Sequence, residues 1–100
     1  MKIVAVTACP TGIAHTYMAA DALIKAAPKH NAQIKVETQG AMGIENRLTP
    51  HDIDQADRVL IVSDIDIEQP DRFEGANQVQ VSIESVLLNV DKVFLVHCRG

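Results

Sequence analysis

The sequence predicts an α/β domain, a three-layer sandwich with a mostly parallel four-stranded sheet. Three observations predict it. Residues 2–7 and 58–63 are strand-length runs of apolar and β-branched residues, the second nearly continuous, as in a parallel strand covered on both faces. Stretches of helical period alternate with the strand candidates. Turn residues separate the two kinds of segment, as in repeated βαβ units.

The elements follow in order. The run Lys2-Ile3-Val4-Ala5-Val6-Thr7 ends in small residues and the turn Cys9-Pro10-Thr11-Gly12. From about Ala14 the period becomes helical on Tyr17, Met18, Ala22, Leu23 and Ala26, until Pro28 stops it. Residues 33–38 alternate polar and apolar, which reads as a half-exposed strand, and the glycine-punctuated stretch 39–44 reads as a loop. Thr49 as N-cap, Pro50 in the first helical position and Asp52 three residues after Thr49 start a short helix that turns Ile53 and Ala56 inward. The strand 58–63 follows, then an acidic loop from Asp64 to Asp71 and a short strand at Val79-Gln80-Val81. A last amphipathic helix spans about Ile83 to Val96, on Val86, Leu87, Val90, Phe94 and Leu95.

One hundred residues read as one domain, 1–100, with a core sufficient without disulfides. A hydrophobic share of 47% with 22% charged residues excludes a disordered chain. No apolar run approaches the roughly 18–20 residues that cross a bilayer, and Met1 to Thr7 reads as a strand rather than a signal peptide. The chain is therefore expected in the cytoplasm. A net charge of −4 with one Tyr, two Phe and no Trp argues against nucleic acid as a partner. Cys9 and Cys98 stand at opposite ends of the sequence, are expected as free thiols, and lack metal-ligand spacing. Cys98 has no anion site around it, and His30 and His51 read as surface residues.

The informative stretch is Cys9-Pro10-Thr11-Gly12-Ile13-Ala14-His15-Thr16, an active-site loop between strand 1 and helix 1. In a parallel sheet such a loop lies at the carboxyl edge where ligands bind, as does the loop from Asp64. Successive backbone N–H groups and the positive end of a helix dipole make an anion site, and both favour a thiolate over a thiol. A thiolate in a phosphate cradle is a nucleophile for phosphorus. Cys9 is thus the candidate nucleophile, with Pro10, Thr11, Gly12, Ile13, Ala14, His15 and Thr16 as the phosphate-binding loop. The residues alone leave plainer roles open: a buried core thiol for Cys9, a turn for Thr11-Gly12, a helix-surface histidine for His15 and a cap for Thr16.

Low-molecular-weight tyrosine phosphatases place a cysteine, five residues, then arginine and serine or threonine on a similar strand–loop–helix. Here His15 and Thr16 hold the last two places. Arginine forks onto phosphate with a permanent charge, whereas His15 offers a single hydrogen bond, which suits a relay better than a hydrolase. The longer block Ala8 to Ala20 resembles the active-site signature of fructose-family enzyme IIB components of the bacterial phosphoenolpyruvate-dependent sugar phosphotransferase system. The likeness continues through Val36-Glu37-Thr38-Gln39-Gly40, Gly43-Ile44-Glu45-Asn46, Leu48-Thr49 and Ala56-Asp57, weakens after about Gly75, and does not reach the end 96–100. Asp21 stands where family members commonly have Glu.

The resemblance implies a phosphoryl carrier. Cys9 would take a phosphoryl group from a phosphohistidine on enzyme IIA and give it to a sugar, fructose by family inference, held by the membrane permease enzyme IIC. It implies a place at the inner face of the membrane through that permease. In-line displacements at phosphorus rest on positioning and charge, so no metal or organic cofactor is implied. Ile13, Tyr17 and Met42 are candidates for a docking patch beside the loop. The competing readings are a small cysteine phosphatase or arsenate reductase-like hydrolase, with Asp64, Asp66 or Asp71 as general acid, and a non-catalytic module that binds phosphate or a partner through the same nest. A redox role lacks a second cysteine near Cys9.

Overall fold

A computed structural model describes residues 1–8, 14–40 and 43–97. Strands β1 (Lys2–Ala8), β2 (Gln33–Gly40), β3 (Gly43–Glu45), β4 (Arg58–Ser63) and β5 (Gln78–Val81) alternate with helices α1 (Ala14–Ala26), α2 (Pro50–Gln55) and α3 (Ile83–His97). The sheet order is β3-β2-β1-β4-β5, with every pair parallel except β2–β3. The sheet thus has five strands, not four. The added strand is the three-residue β3, paired antiparallel to the end of β2 through Thr38↔Glu45, Gln39↔Ile44 and Gly40↔Gly43. Three residues are too few to show a period, and Gly43, at φ +89°, supplies a backbone conformation other residues avoid.

Strand alternation sends successive side chains to opposite layers. Ile3 and Ala5 of β1, Val36 of β2, Leu60 and Val62 of β4 and Val81 of β5 pack under α1 and α3. Val4, Val6, Val59 and Ile61 face the other way, against Leu48, Phe73, Ile53 and Ala56 around α2. Helix α1 buries Thr16, Ala19, Ala20, Leu23 and Ala26, a stripe at i, i+3, i+4, i+7 and i+10. The sequence reading put Tyr17 and Met18 on that stripe. They are 36% and 55% exposed, because alanines let the helix lie close to the sheet and turn its larger residues outward.

The predicted start of α2 is present in full. Thr49 Oγ1 accepts from the Asp52 N–H at 3.1 Å, and Asp52 Oδ2 accepts from the Thr49 N–H at 2.9 Å. Lys35 Nζ of β2, 2.7 Å from Asp52 Oδ2, and the cap itself hold that carboxyl down at about 2. Helix α3 is kinked at Asn89 (φ −159°, ψ 82°). Its Oδ1 accepts from the Lys92 N–H at 3.2 Å, so Asn89 acts as an internal N-cap that restarts the helix. The buried stripe nevertheless keeps its helical spacing across the kink, Ile83, Val86, Val93 and Phe94 standing at i, i+3, i+10 and i+11. Val86, Val93 and Phe94 are buried, whereas Leu87 and Leu95, read as core, are 37% and 58% exposed. His30, read as a surface residue, instead stacks on Phe94 at 5.0 Å and 4° and lies 2.9 Å from Asp91 Oδ1, joining the end of the first crossover to α3.

Candidate active site

The strand order reverses direction at β1. One crossover, through α1, goes to β2 on one side, where β3 follows it, and β4 and β5 are laid down on the other. The crevice at the carboxyl end of β1 is therefore the topological switch point, where open α/β sheets bind ligands. Cys9 is the residue after the last residue of β1. Of the site candidates, Cys9, Pro10, Thr11, Gly12 and Ile13 lie outside the described residues, as do Met42 and Cys98. Ala14, His15 and Thr16 form the first turn of α1, whose N–H groups have no acceptor within the helix. His15 is exposed and Thr16 fully buried.

Thr16 does not cap the helix, since it stands third within it. Its backbone carbonyl accepts from Thr7 Oγ1 at 3.2 Å, tying the end of β1 to the start of α1. Thr38 is the sheet neighbour of Thr7. The hydroxyls of Thr16 and Thr38 are buried without a partner among the described residues. Tyr17, from the expected docking patch, is partly exposed and donates its hydroxyl to the Glu45 carboxylate of β3.

On the opposite layer the sheet presents the row Ser63–Ala8–Gln39, because Ala8 pairs with both neighbours. Ser63 Oγ accepts from the Ile65 N–H at 3.0 Å and donates to the Ile65 carbonyl at 2.6 Å. Gln39 treats Glu68 as a strand would. Its Oε1 accepts from the Glu68 N–H at 2.7 Å and its Nε2 donates to the Glu68 carbonyl at 3.1 Å. Between those two anchors Ile67 packs on the apolar cluster of that layer. Since β1 lies between β4 and β2, the segment from Ser63 to Glu68 crosses the carboxyl end of β1 as a strap, with Asp64, Asp66 and Glu68 exposed.

The strap continues into a 3-10 turn, Pro70–Phe73, that is locked to β2 by an ion pair between the partly exposed Arg72 and a fully buried carboxylate. Arg72 grips Glu37 with two parallel bonds of 2.8 Å each. Glu37 is fully buried, and the Leu48 N–H at 2.9 Å and Gln39 Nε2 at 2.8 Å supply its other donors. Burial alone would push the Glu37 carboxyl up; Arg72, Leu48 and Gln39 outweigh that and hold it below the ordinary carboxylate value.

The alternating pattern of residues 33–38 put Glu37 towards solvent, and this is corrected. Lys35 is exposed, but Glu37 and Gln39 are buried because β3 and the strap cover the end of β2. Glu37, Gln39, Ser63 and Arg72 are thus site-edge residues to which sequence reasoning gave no role. The available signal was two polar residues of one parity at the carboxyl end of a strand.

This chain belongs to the IIB subunit family of the sugar phosphotransferase system. The family model described as the phosphotransferase-system lactose/cellobiose-specific IIB subunit matches residues 4–95. That membership places it in sugar phosphoryl transfer. A relative described as a fructose-like EIIB component 2, from Escherichia coli strain K12, is 49% identical over 92 residues, 92% of this chain and 87% of that protein. A Bacillus subtilis protein described as a fructose-specific EIIABC component is 49% identical over 82 residues, 82% of this chain but 13% of that larger protein. The crystal structure of a predicted fructose-specific IIB from Escherichia coli superposes with a TM-score of 0.91 at 43% identity, covering 97% of this chain and 86% of that one. Among the described residues no helix is long and apolar enough to cross a membrane.

Proposed function

We propose that residues 1–100 act as a single fructose-type enzyme IIB domain in which Cys9 carries the phosphoryl group. One observation supports this above the others. The cysteine directly follows the central parallel strand at the switch point, and the first-turn N–H groups of α1, which have no acceptor within the helix, begin five residues later. In the first step Cys9 Sγ, as thiolate, attacks phosphorus while the N–P bond of a phosphohistidine on enzyme IIA breaks. In the second a sugar hydroxyl oxygen attacks, the S–P bond breaks, the thiolate returns and the hydroxyl proton leaves. Backbone N–H groups of residues 11–16, with His15 and Thr16, stabilise the transferring oxygens, and Lewis-acid help is not needed. The acceptor sugar, fructose in this reading, is held by enzyme IIC, so the domain works in the cytoplasm at the inner face of the membrane.

The test is intact-protein mass spectrometry after incubation with phosphoenolpyruvate, enzyme I, the phosphocarrier protein and a fructose-type enzyme IIA. A single phosphoryl adduct that is discharged by permease and sugar is expected. A cysteine hydrolase is the second reading, favoured by the exposed Asp64 and Asp66 on the strap, which are candidate general acids. It requires release of phosphate from a model phosphomonoester with no lasting adduct.

Thr16 gives a narrower prediction. Thr16→Val keeps the side-chain shape and removes a hydroxyl that no described residue uses, so unfolding free energy should stay within about 1 kcal/mol. Loading from phosphorylated enzyme IIA should slow about tenfold, as for a lost donor to a transferring oxygen. Loading at the unmodified rate removes Thr16 from the phosphate site.

A further inference from the structure

Resting on the carrier reading, we propose that Gln39 is a positioning residue whose amide holds the strap 64–68 across the end of β1, and that the closed strap keeps water from the phosphorylated cysteine. The geometry is specific. Gln39 is 8% exposed, and both ends of its amide reach the backbone of Glu68, 29 positions away, with Nε2 also donating to Glu37 Oε2 at 2.8 Å. The other anchor, Ser63, is 1% exposed and binds both backbone groups of Ile65. These two side chains flank Ala8, the residue before Cys9, and Ala8 is itself 2% exposed. The small methyl of Ala8 leaves room for a backbone segment to pass over the end of its strand.

A carrier must hold its phosphoryl group until an acceptor arrives. The wasteful reaction is hydrolysis: water oxygen attacks phosphorus, the S–P bond breaks, sulfur leaves as thiolate, and inorganic phosphate and a proton are released. Excluding water suppresses this step, and the carboxylates Asp64, Asp66 and Glu68 on the strap oppose approach of hydroxide from the same side. The strap therefore biases the same sulfur towards relay and away from phosphatase chemistry.

The test compares Gln39→Leu with Val86→Ala, a cavity variant in the other layer that destabilises without touching the strap. Each protein is loaded from phosphorylated enzyme IIA, freed of donors, and its adduct followed by mass spectrometry without acceptor. Amide exchange at Glu68 reports whether the strap has opened. The expected result is faster exchange at Glu68 and a phosphoprotein half-life shortened about tenfold in Gln39→Leu only. Ser63→Ala, which loosens the other anchor, should shorten it in the same direction and serves if Gln39→Leu does not fold. A half-life within twofold of the parent despite rapid Glu68 exchange overturns the strap's role while leaving the carrier reading intact. A parent chain that never loads overturns the carrier reading, and the strap's role falls with it.

Discussion

Arg72→Ala should cost about 3–5 kcal/mol of unfolding free energy, a large part of what a domain of this size has. The reason is the fate of Glu37. With Arg72 gone, a fully buried carboxylate keeps the Leu48 N–H and the Gln39 amide but loses its counter-charge and two bonds of 2.8 Å. The substitution also removes the guanidinium that lies 4.9 Å from the Phe73 ring centroid. Glu37→Gln with Arg72→Met should recover part of the loss, since Gln still accepts from Leu48 and no buried charge is stranded. Urea titrations of the three proteins read this directly. A single variant as stable as the parent contradicts the structural role given to the pair.

The same pair sets a pH dependence. The Glu37 carboxyl lies below its ordinary value of 4.5 in the folded chain, so the unfolded chain binds more protons as the solution is acidified. Its stabilisation is complete above about 4.5 and is lost as pH falls through the folded value. Asp52, held at about 2 against an ordinary 3.8, adds a second loss in the window between those values. Glu37→Gln should flatten the first loss and leave the second.

Cys9→Ser should abolish phosphoryl transfer, by more than about 10⁴-fold, because a serine hydroxyl without a general base is a poor nucleophile. Stability should change little, since the substitution replaces one small side chain by another. The three readings of the site separate on this variant. A carrier loses the adduct and all transfer, a hydrolase loses phosphate release, and a binding module keeps its partner and its phosphate.

The parallel core was legible because β1 and β4 are β-branched apolar runs, and a strand covered on both faces needs nothing else. The cap of α2 was legible because Thr49, Pro50 and Asp52 form a local motif whose bonds span three residues. Glu37 was not, because its partner stands 35 residues away in a turn that carries no strong local signal. The strap was hidden for a related reason. Asp64 to Glu68 looks like a solvated acidic loop, and only the strand order reveals that its two anchors lie on either side of β1. Leu95 is apolar but stands at i+12, off the buried stripe of Ile83, Val86, Val93 and Phe94, so its residue type points to the core while its position faces outward. The candidate site itself was legible at Cys9 to Thr16 through local chemistry, while its supporting edge, built by Gln39, Ser63 and Arg72, comes from tertiary pairing.

The central claim is that the phosphoryl group travels on one sulfur. The most direct measurement is peptide-level mass spectrometry of the chain loaded from phosphorylated enzyme IIA, under conditions that preserve both thiophosphate and phosphohistidine. The account predicts the phosphoryl group on the peptide containing Cys9 and assigns it to that side chain. Finding it on His15, on any of the other three histidines, or on Cys98 would contradict it.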